Sequence, residues 1–311
     1  MKLNSILLIS VVMLTIASGC SQATPLPAGR LDRIPTNALK ILPAADNNPP
    51  LSLSEEYETP IPLAGDVNTP GGEDSPFILP DGQTIYFFFT PDVSIPVEKQ
   101  ILDGVTGIYA ASLSDDVSGN VARVMLQDQG KLAGDGCPFV LGEVMWFCTT
   151  REGYNGLHWF TAEGGMGNWH NWQPSDFDPS FKVGELHISS DGNTLYFASD
   201  RARGMGGLDI WISTKQAGLW QEPVNLEIVN TADNEGYPAL NPAGDELWFT
   251  RNYGIWRSVK VNDQWQSPIQ IFFPLAGEPS IDQEGNVYFV HHFYQDNTML
   301  EVDIYVAYKK K

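Results

Sequence analysis

Cysteine is nearly missing from this chain, basic residues are scarce, and helical periodicity hardly occurs after the first twenty positions. Three cysteines in 311 residues, one of them near the N-terminus, leave room for at most one internal bridge. Against 18 Lys plus Arg stand 38 Asp plus Glu, a formal charge of -20, so a phosphate backbone is repelled and nucleic acid is excluded as a partner. The missing 3.6-residue period argues against a helical fold. No HExxH, no Ser-His-Asp signature and no phosphate-cradling loop occurs, and the Gly-rich "GMGGLDIW" joins two strands without opening a helix. No cofactor and no metal is expected, since a calcium at an acidic rim would lack any EF-hand-like spacing. What is present is a globular composition, 42% hydrophobic and 11% aromatic, long enough to bury a full core.

The opening "MKLNSILLISVVMLTIASGC" places Lys2 before an apolar run from Ile6 to Ile16, too short to span a bilayer, and reads as an export signal. Ala17, Ser18 and Gly19 before Cys20 resemble a bacterial lipobox, with Ala17 where Leu is usual. That resemblance implies cleavage after residue 19, lipid attachment at Cys20, and an exported chain anchored at the cell membrane or outer membrane. A plain secretory signal with a chance cysteine is the alternative. Residues 20–57 are rich in Pro, Ala, Asn and Ser and read as the lipidated cysteine and a flexible linker. The domain proper is expected over 58–311.

Cys137 and Cys148 both fall in "GCPFVLGEVMWFC". A two-residue turn at Gly142 and Glu143 places them opposite each other, where a cross-strand disulfide and a pair of buried thiols are both compatible with the spacing.

Paired aromatics end a short apolar strand five times: Tyr86 and Phe87, Trp146 and Phe147, Tyr196 and Phe197, Trp248 and Phe249, Tyr288 and Phe289. Turn signals such as "LPDGQT", "SSDGNT" and "NPAGDE" precede them, making each the second strand of a hairpin. A third strand follows in "GIYAA", "LHWF", "DIWIS", "GIWRS" and "DIYVA", and some units add a fourth at "NWQP", "LWQEP" or "QWQSP". Five repeats of short strands imply an all-β five-bladed propeller. Asn68, Thr69, Glu73, Pro76, Gly82 and Phe87 match Asn230, Thr231, Glu235, Pro238, Gly244 and Phe249 at one offset of 162. The segment before Asn230 is an outer strand, and the fifth unit stops after its third. Residues near 58 to 64 are therefore expected to supply the last strand and close the ring.

The stretch "ISSDGNTLYFASDRARGMGGLDIW", followed by "WQEPVNLEIVNTADNEGYPALNP", resembles the bacterial WD-like propeller repeat typified by the TolB propeller. The resemblance covers residues about 58 to 308, best in units three and four. Unit two departs from it by lacking the Asp before Gly142, and unit five has "DQEGN" in its turn. It implies extracytoplasmic placement and a binding role, with a cell-envelope protein, peptide or glycan as partner and the membrane reached through the lipid.

Propeller topology gathers the loops before each inner strand at one end of the channel. These carry Glu73 with Asp74, Asp135, Glu185, Glu235 and Glu278, and after the second strands come Arg151, Arg201 and Arg251, with His291 and His292 in the fifth unit. Such a rim suits a polar ligand held by charge-assisted hydrogen bonds; the same groups also suit ion pairs that merely fasten the ring. Asp81 and Asp191 cap turns, and Trp211 and Trp256 belong to the core. Two features break the repeat: the long loop 90–105, and "EGGMGNWHNWQPSDFDP", where Trp169, His170 and Trp172 cluster. The expected function is a non-catalytic, membrane-anchored binding or scaffold module. The alternative is a glycoside-processing enzyme using Glu73 or Asp74, Asp135 and Glu185, which requires one carboxyl protonated and another ionised.

Overall fold

The computed structural model describes residues 29–311 apart from 115, 166, 167, 179 and 180, so the export signal and Cys20 lie outside the described residues. The fold is all-β and of the propeller type, with one short helix, α1 (Val97–Gln100). Among the described residues no helix is long and apolar enough to cross a membrane.

Three short strands come first: β1 (Leu51–Ser52), β2 (Ile61–Pro62) and β3 (Ala64–Gly65). Antiparallel units then follow in chain order. Unit 1 holds β4 (Gly72–Ile78), β5 (Thr84–Thr90), β6 (Gly107–Ser114) and β7 (Val117–Arg123). Unit 2 holds β8 (Ala133–Leu141), β9 (Val144–Arg151), β10 (His158–Gly165) and β11 (Asn168–Pro174). Unit 3 holds β12 (Leu186–Ile188), β13 (Thr194–Ser199) and β14 (Asp209–Gln216), with β15 (Leu219–Trp220) and β16 (Val224–Asn225) both paired to β14. Unit 4 holds β17 (Glu235–Leu240), β18 (Glu246–Arg251), β19 (Gly254–Val261), the short β20 (Gln264–Trp265) and β21 (Ile269–Phe273), and β1 adds outside β21. Unit 5 holds β22 (Ala276–Ile281), β23 (Val287–Gln295) and β24 (Thr298–Ala307), and a parallel contact of Val302 with Gly72 joins it to unit 1 in a single nine-stranded sheet. The fourth position of unit 5 is taken by β2, with Ile61 opposite Val306 and Pro62 opposite Tyr305.

The paired aromatics explain how units pack. Neighbouring residues on a strand point to opposite faces, so each pair sends one ring to either side of its sheet. Tyr86 of unit 1 shares a core with Phe147 of unit 2, Trp146 with Phe197, and Tyr196 with Phe249. Trp248 shares the next with Phe289, and Tyr288 of unit 5 shares the last with Phe87 of unit 1. All five phenylalanines are fully buried. Each contributes about 2–3 kcal/mol of apolar burial, repeated at every junction between units. The first strands also contact one another in sequence, β4 to β8 to β12 to β17 to β22, and β22 contacts β4.

The second half of the expected linker is not free chain. Arg30 is buried in unit 1, Lys40 bonds Glu301 and Asp303 of unit 5, and Asp46 accepts from His291 Nε2 at 2.9 Å. Glu56 makes a two-pronged pair with Arg257 of unit 4 at 2.6 and 2.9 Å. Proline and alanine deny this arm regular structure, yet its few charged residues reach buried partners.

Candidate active site

The first strands of four units carry a bulge at the same place. Register shifts fall between Asp74 and Phe77, Gly136 and Phe139, Gly236 and Ala239, and Gly277 and Ser280. In each, the extra residue has a positive φ: Ser75 48°, Cys137 51°, Tyr237 54° and Glu278 57°. A proline follows every one of them: Pro76, Pro138, Pro238 and Pro279. Proline has no N–H for the ladder, so it fits where pairing is interrupted, and the bulge re-aims the side chain before it. Glu185, six residues before the turn residue Asp191 as Tyr237 is before Ala243, takes the same place in unit 3.

Cys137, Glu185, Tyr237 and Glu278 lie close enough to one another and to Asp74 to shift one another's titration, so these positions share one interior space, called the lumen below. Ser75 N–H reaches Asp74 Oδ1 at 2.9 Å and Glu278 Oε2 at 3.0 Å, and Ser75 Oγ donates to the same Glu278 oxygen at 3.0 Å. One backbone donor thus joins the carboxyls of Asp74 and Glu278. Burial pushes the Glu278 carboxyl well above the usual range, and Asp74 beside it adds to the rise, as does Glu185. Burial also raises Glu185, with Asp74 contributing. Tyr237 is held protonated by Glu278 first and burial second. Glu278 therefore holds its proton more tightly than an ordinary carboxyl does, beside Asp74 and within electrostatic reach of Glu185.

Aromatic groups flank one side. Tyr253 meets His292 edge-on at 5.7 Å and Tyr294 at 6.0 Å, and burial lowers the pKa of His292 although Asp74 opposes the shift. One step along the first strands lie Phe77, Phe139 and His187, with Phe77 and Phe139 at 5.1 Å and Phe139 and His187 at 4.7 Å. Their rings fill the lumen beneath the carboxyls.

The acids and bases expected to share the rim divide into two sets. Glu73, Asp135 and Glu235 sit in clasps. Glu235 accepts Thr231 N–H at 3.0 Å, Thr231 Oγ1 at 2.6 Å and Arg251 Nε at 2.6 Å, and the Arg251 guanidinium lies 4.5 Å from the Trp256 ring. Asp135 accepts Thr149 Oγ1 at 2.6 Å and Arg151 Nη2 at 2.8 Å, with Arg151 over Phe160 at 4.3 Å. Glu73 accepts Thr69 N–H at 3.0 Å and Thr69 Oγ1 at 2.6 Å, but its guanidinium comes from Arg30, 3.4 Å away. Arg201 bonds Glu222 at 2.8 Å and stacks over Trp211 at 5.0 Å. Of the expected acids, Asp74, Glu185 and Glu278 come together at the bulges, whereas Glu73, Asp135 and Glu235 each lie two residues upstream of the bulged residue of their own strand. Sequence reasoning missed Asp74 as partner to Glu278, and missed Ser75, Cys137 and Tyr237 as lumen residues. The signal was the proline after a polar residue in "EDSPF", "DGCPF", "EGYPA" and "AGEPS".

The bulge also corrects the cysteine register. Leu141, Val140 and Phe139 pair with Val144, Met145 and Trp146 as the turn dictates, but Cys148 then faces Gly136, and Cys137 is the extra residue. Both cysteines are free thiols, with the sulfurs 2.6 Å apart. The loop 90–105 is ordered: α1 and a 3-10 turn (Ile101–Asp103) carry Ile101 over Gly134 near the start of β8. Trp169 is buried against Tyr86 at 6.3 Å, Trp172 is partly buried in the same core, and His170 is exposed. Among the described residues no group of three or more His, Cys, Asp or Glu is arranged to hold a metal.

No family model and no curated protein matches the chain. Solved structures of the same fold type do. A gluconolactonase from Xanthomonas campestris is 12% identical, with TM-score 0.48, over 84% of this chain and 95% of that one. An α-L-arabinofuranosidase from Lactobacillus brevis is 12% identical, with TM-score 0.47, over 76% and 90%. A TolB protein from Agrobacterium tumefaciens is 14% identical, with TM-score 0.41, over 80% and 78%. The likeness is one of fold. Most of these similar structures are named as enzymes, so the expectation of a module without chemistry finds no support among them.

Proposed function

We propose that the five units are blades of a propeller closed by β2, and that the lumen layer hydrolyses a glycosidic bond by acid–base catalysis. The observation that carries the reading is the sharing of Ser75 N–H by Asp74 and Glu278, with the proton kept on Glu278. Glycoside hydrolysis needs a carboxyl that is still protonated where ordinary carboxylates are ionised, and a second group that activates water or attacks the sugar carbon. Glu278 gives its proton to the leaving oxygen as the C–O bond breaks. Glu185 takes the proton of the water that forms the new bond. Asp74 accepts from Ser75 and fixes the Glu278 carboxyl, and Tyr253 and Tyr294 offer ring faces to a sugar.

The original trio of Glu73, Asp135 and Glu185 is thereby replaced by Asp74, Glu185 and Glu278, since clasped carboxylates are not free to transfer protons. The reading also places the domain outside the cytoplasm, tethered by a lipid on Cys20, with a cell-envelope glycan as reactant; the N-terminal sequence supports this part. The test is a panel of unactivated oligosaccharides and peptidoglycan fragments, with new reducing ends measured. Turnover by the wild type that falls 100-fold or more in both Glu278→Gln and Glu185→Gln is expected. Absence of turnover across the panel, or turnover untouched by Glu278→Gln, overturns it.

A further inference from the structure

The turn side of the lumen, below the ring layer, opens into a cavity of about 360 Å³ to which all five units contribute. Phe77, Phe139, Leu240 and Ile281 form its apolar wall beside the imidazole of His187, while the phenol of Tyr196 and the charged Asp191 and Lys260 also line it. The cavity exists because the equivalent positions differ in size: Phe77, Phe139 and His187 are large, whereas Ala239 and Ser280 are small. Burial lowers His187 to about 3, so its imidazole is neutral, with one N–H and one bare nitrogen. Among the described residues no protein group bonds either nitrogen; the contact made by the ring is the edge-on one to Phe139, at 4.7 Å. A donor and an acceptor set in an apolar wall are costly unless something occupies them.

We infer that this cavity is a second binding site, separate from the carboxyl layer, for a small uncharged ring compound bearing one hydroxyl. The volume falls within the range of small-molecule sites, which combine apolar walls with few polar groups. A neutral imidazole offers one donor and one acceptor and no charge, and Asp191 and Lys260 of the lining offset each other, so the group that His187 bonds is an uncharged one. The hydroxyl bonds His187, and the ring lies against Phe77, Phe139 and Leu240. The site stands apart from the proposed hydrolysis, because the layer of rings lies between the two.

The experiment uses 2-naphthol as probe, followed by calorimetry and by the imidazole nitrogen resonances of the 15N-histidine-labelled full domain. One saturable site that shifts the His187 resonances is expected. Binding should weaken at least tenfold in His187→Phe and in the cavity-filling Leu240→Trp, and be unchanged in Glu278→Gln. No saturable binding, binding that leaves the His187 resonances of the wild type unmoved, or loss in Glu278→Gln overturns the inference. The wild-type resonance readout decides the matter even if a variant fails to fold.

Discussion

Asn68 brackets Ile304: its side-chain amide donates to the Ile304 carbonyl at 2.8 Å while its oxygen accepts the Ile304 N–H at 2.9 Å. Asn230 makes the same pair of bonds to Ile210, both at 2.8 Å. The offset of 162 that relates the two asparagines in sequence therefore relates two equivalent joints, one between units 3 and 4 and one between units 5 and 1. Removing the side chain in Asn68→Ala costs the two hydrogen bonds to Ile304 and the one donated to Leu63 O, about 3 kcal/mol at a partly buried site. Urea unfolding should show a loss of that size, matched by Asn230→Ala; a loss below a quarter of it would mean the joint is dispensable.

Arg30 supplies what unit 1 lacks. Phe89 stands where the offset places Arg251, and Arg30 takes over, donating to Val67 O at 2.9 Å and lying 5.0 Å from the Phe89 ring. Arg30→Ala removes the bonds to the Asp66 and Val67 carbonyls and the contact with Glu73, whose pKa burial raises to about 8, so the loss is that of a few buried hydrogen bonds, about 2–3 kcal/mol. Thermal unfolding should fall accordingly, and Arg30→Lys, which lacks the planar fork, should restore only part of the loss.

Glu278→Gln should reduce glycoside hydrolysis by about 10²–10⁴-fold, the usual worth of a positioned general acid. Glu235→Gln, made in a clasp outside the lumen, should lower stability while kcat changes by less than threefold. Steady-state kinetics on both variants, beside their melting curves, separates the two roles.

The same proton sets a pH dependence. Activity needs Glu278 protonated, and its pKa is raised by burial and by Asp74, so the alkaline limb should lie above the ordinary carboxylate range. Glu185 must be ionised, and burial raises it too, which moves the acid limb in the same direction. A pH–kcat/KM profile centred below about pH 4 would contradict both assignments.

His187 gives a stability signature of opposite sense. Its folded pKa, lowered to about 3, lies below that of the unfolded ring, so the unfolded chain binds the extra proton as pH falls below about 6.5. Stability from this residue is present above that pH and is lost by up to about 1.4 kcal/mol per unit toward acid. His187→Leu should flatten the slope between pH 6 and 4, read by urea midpoints; an unchanged slope would show that the ring is already charged when folded.

Much of this arrangement was legible in the residues, and what was hidden has physical reasons. The aromatic pairs and turn glycines repeat because each hairpin buries one ring on either face, so the period surfaces in the sequence. The match of Asn68 with Asn230 located the partner of β24 before any coordinates. The lumen layer was misread by two residues in units 1, 2 and 4, because pairing extrapolated from a turn assumes an uninterrupted ladder. Cys137 shows the error: three pairs follow the turn, and then Pro138 ends the count. Arg30 could not be anticipated, since its socket is 43 residues away and local composition says only that the segment is proline-rich.

The pairing of Ile61 with Val306 has a consequence during synthesis. The ribosome releases β2 first and its partner β24 among the last, with some 240 residues between them. At roughly 5–20 residues per second, β2 waits on the order of 10–50 s for that partner. Two residues further on, β3 already pairs with β7 of unit 1, so the early segment is moored beside its place and the joining of β2 to β24 waits for the final strand.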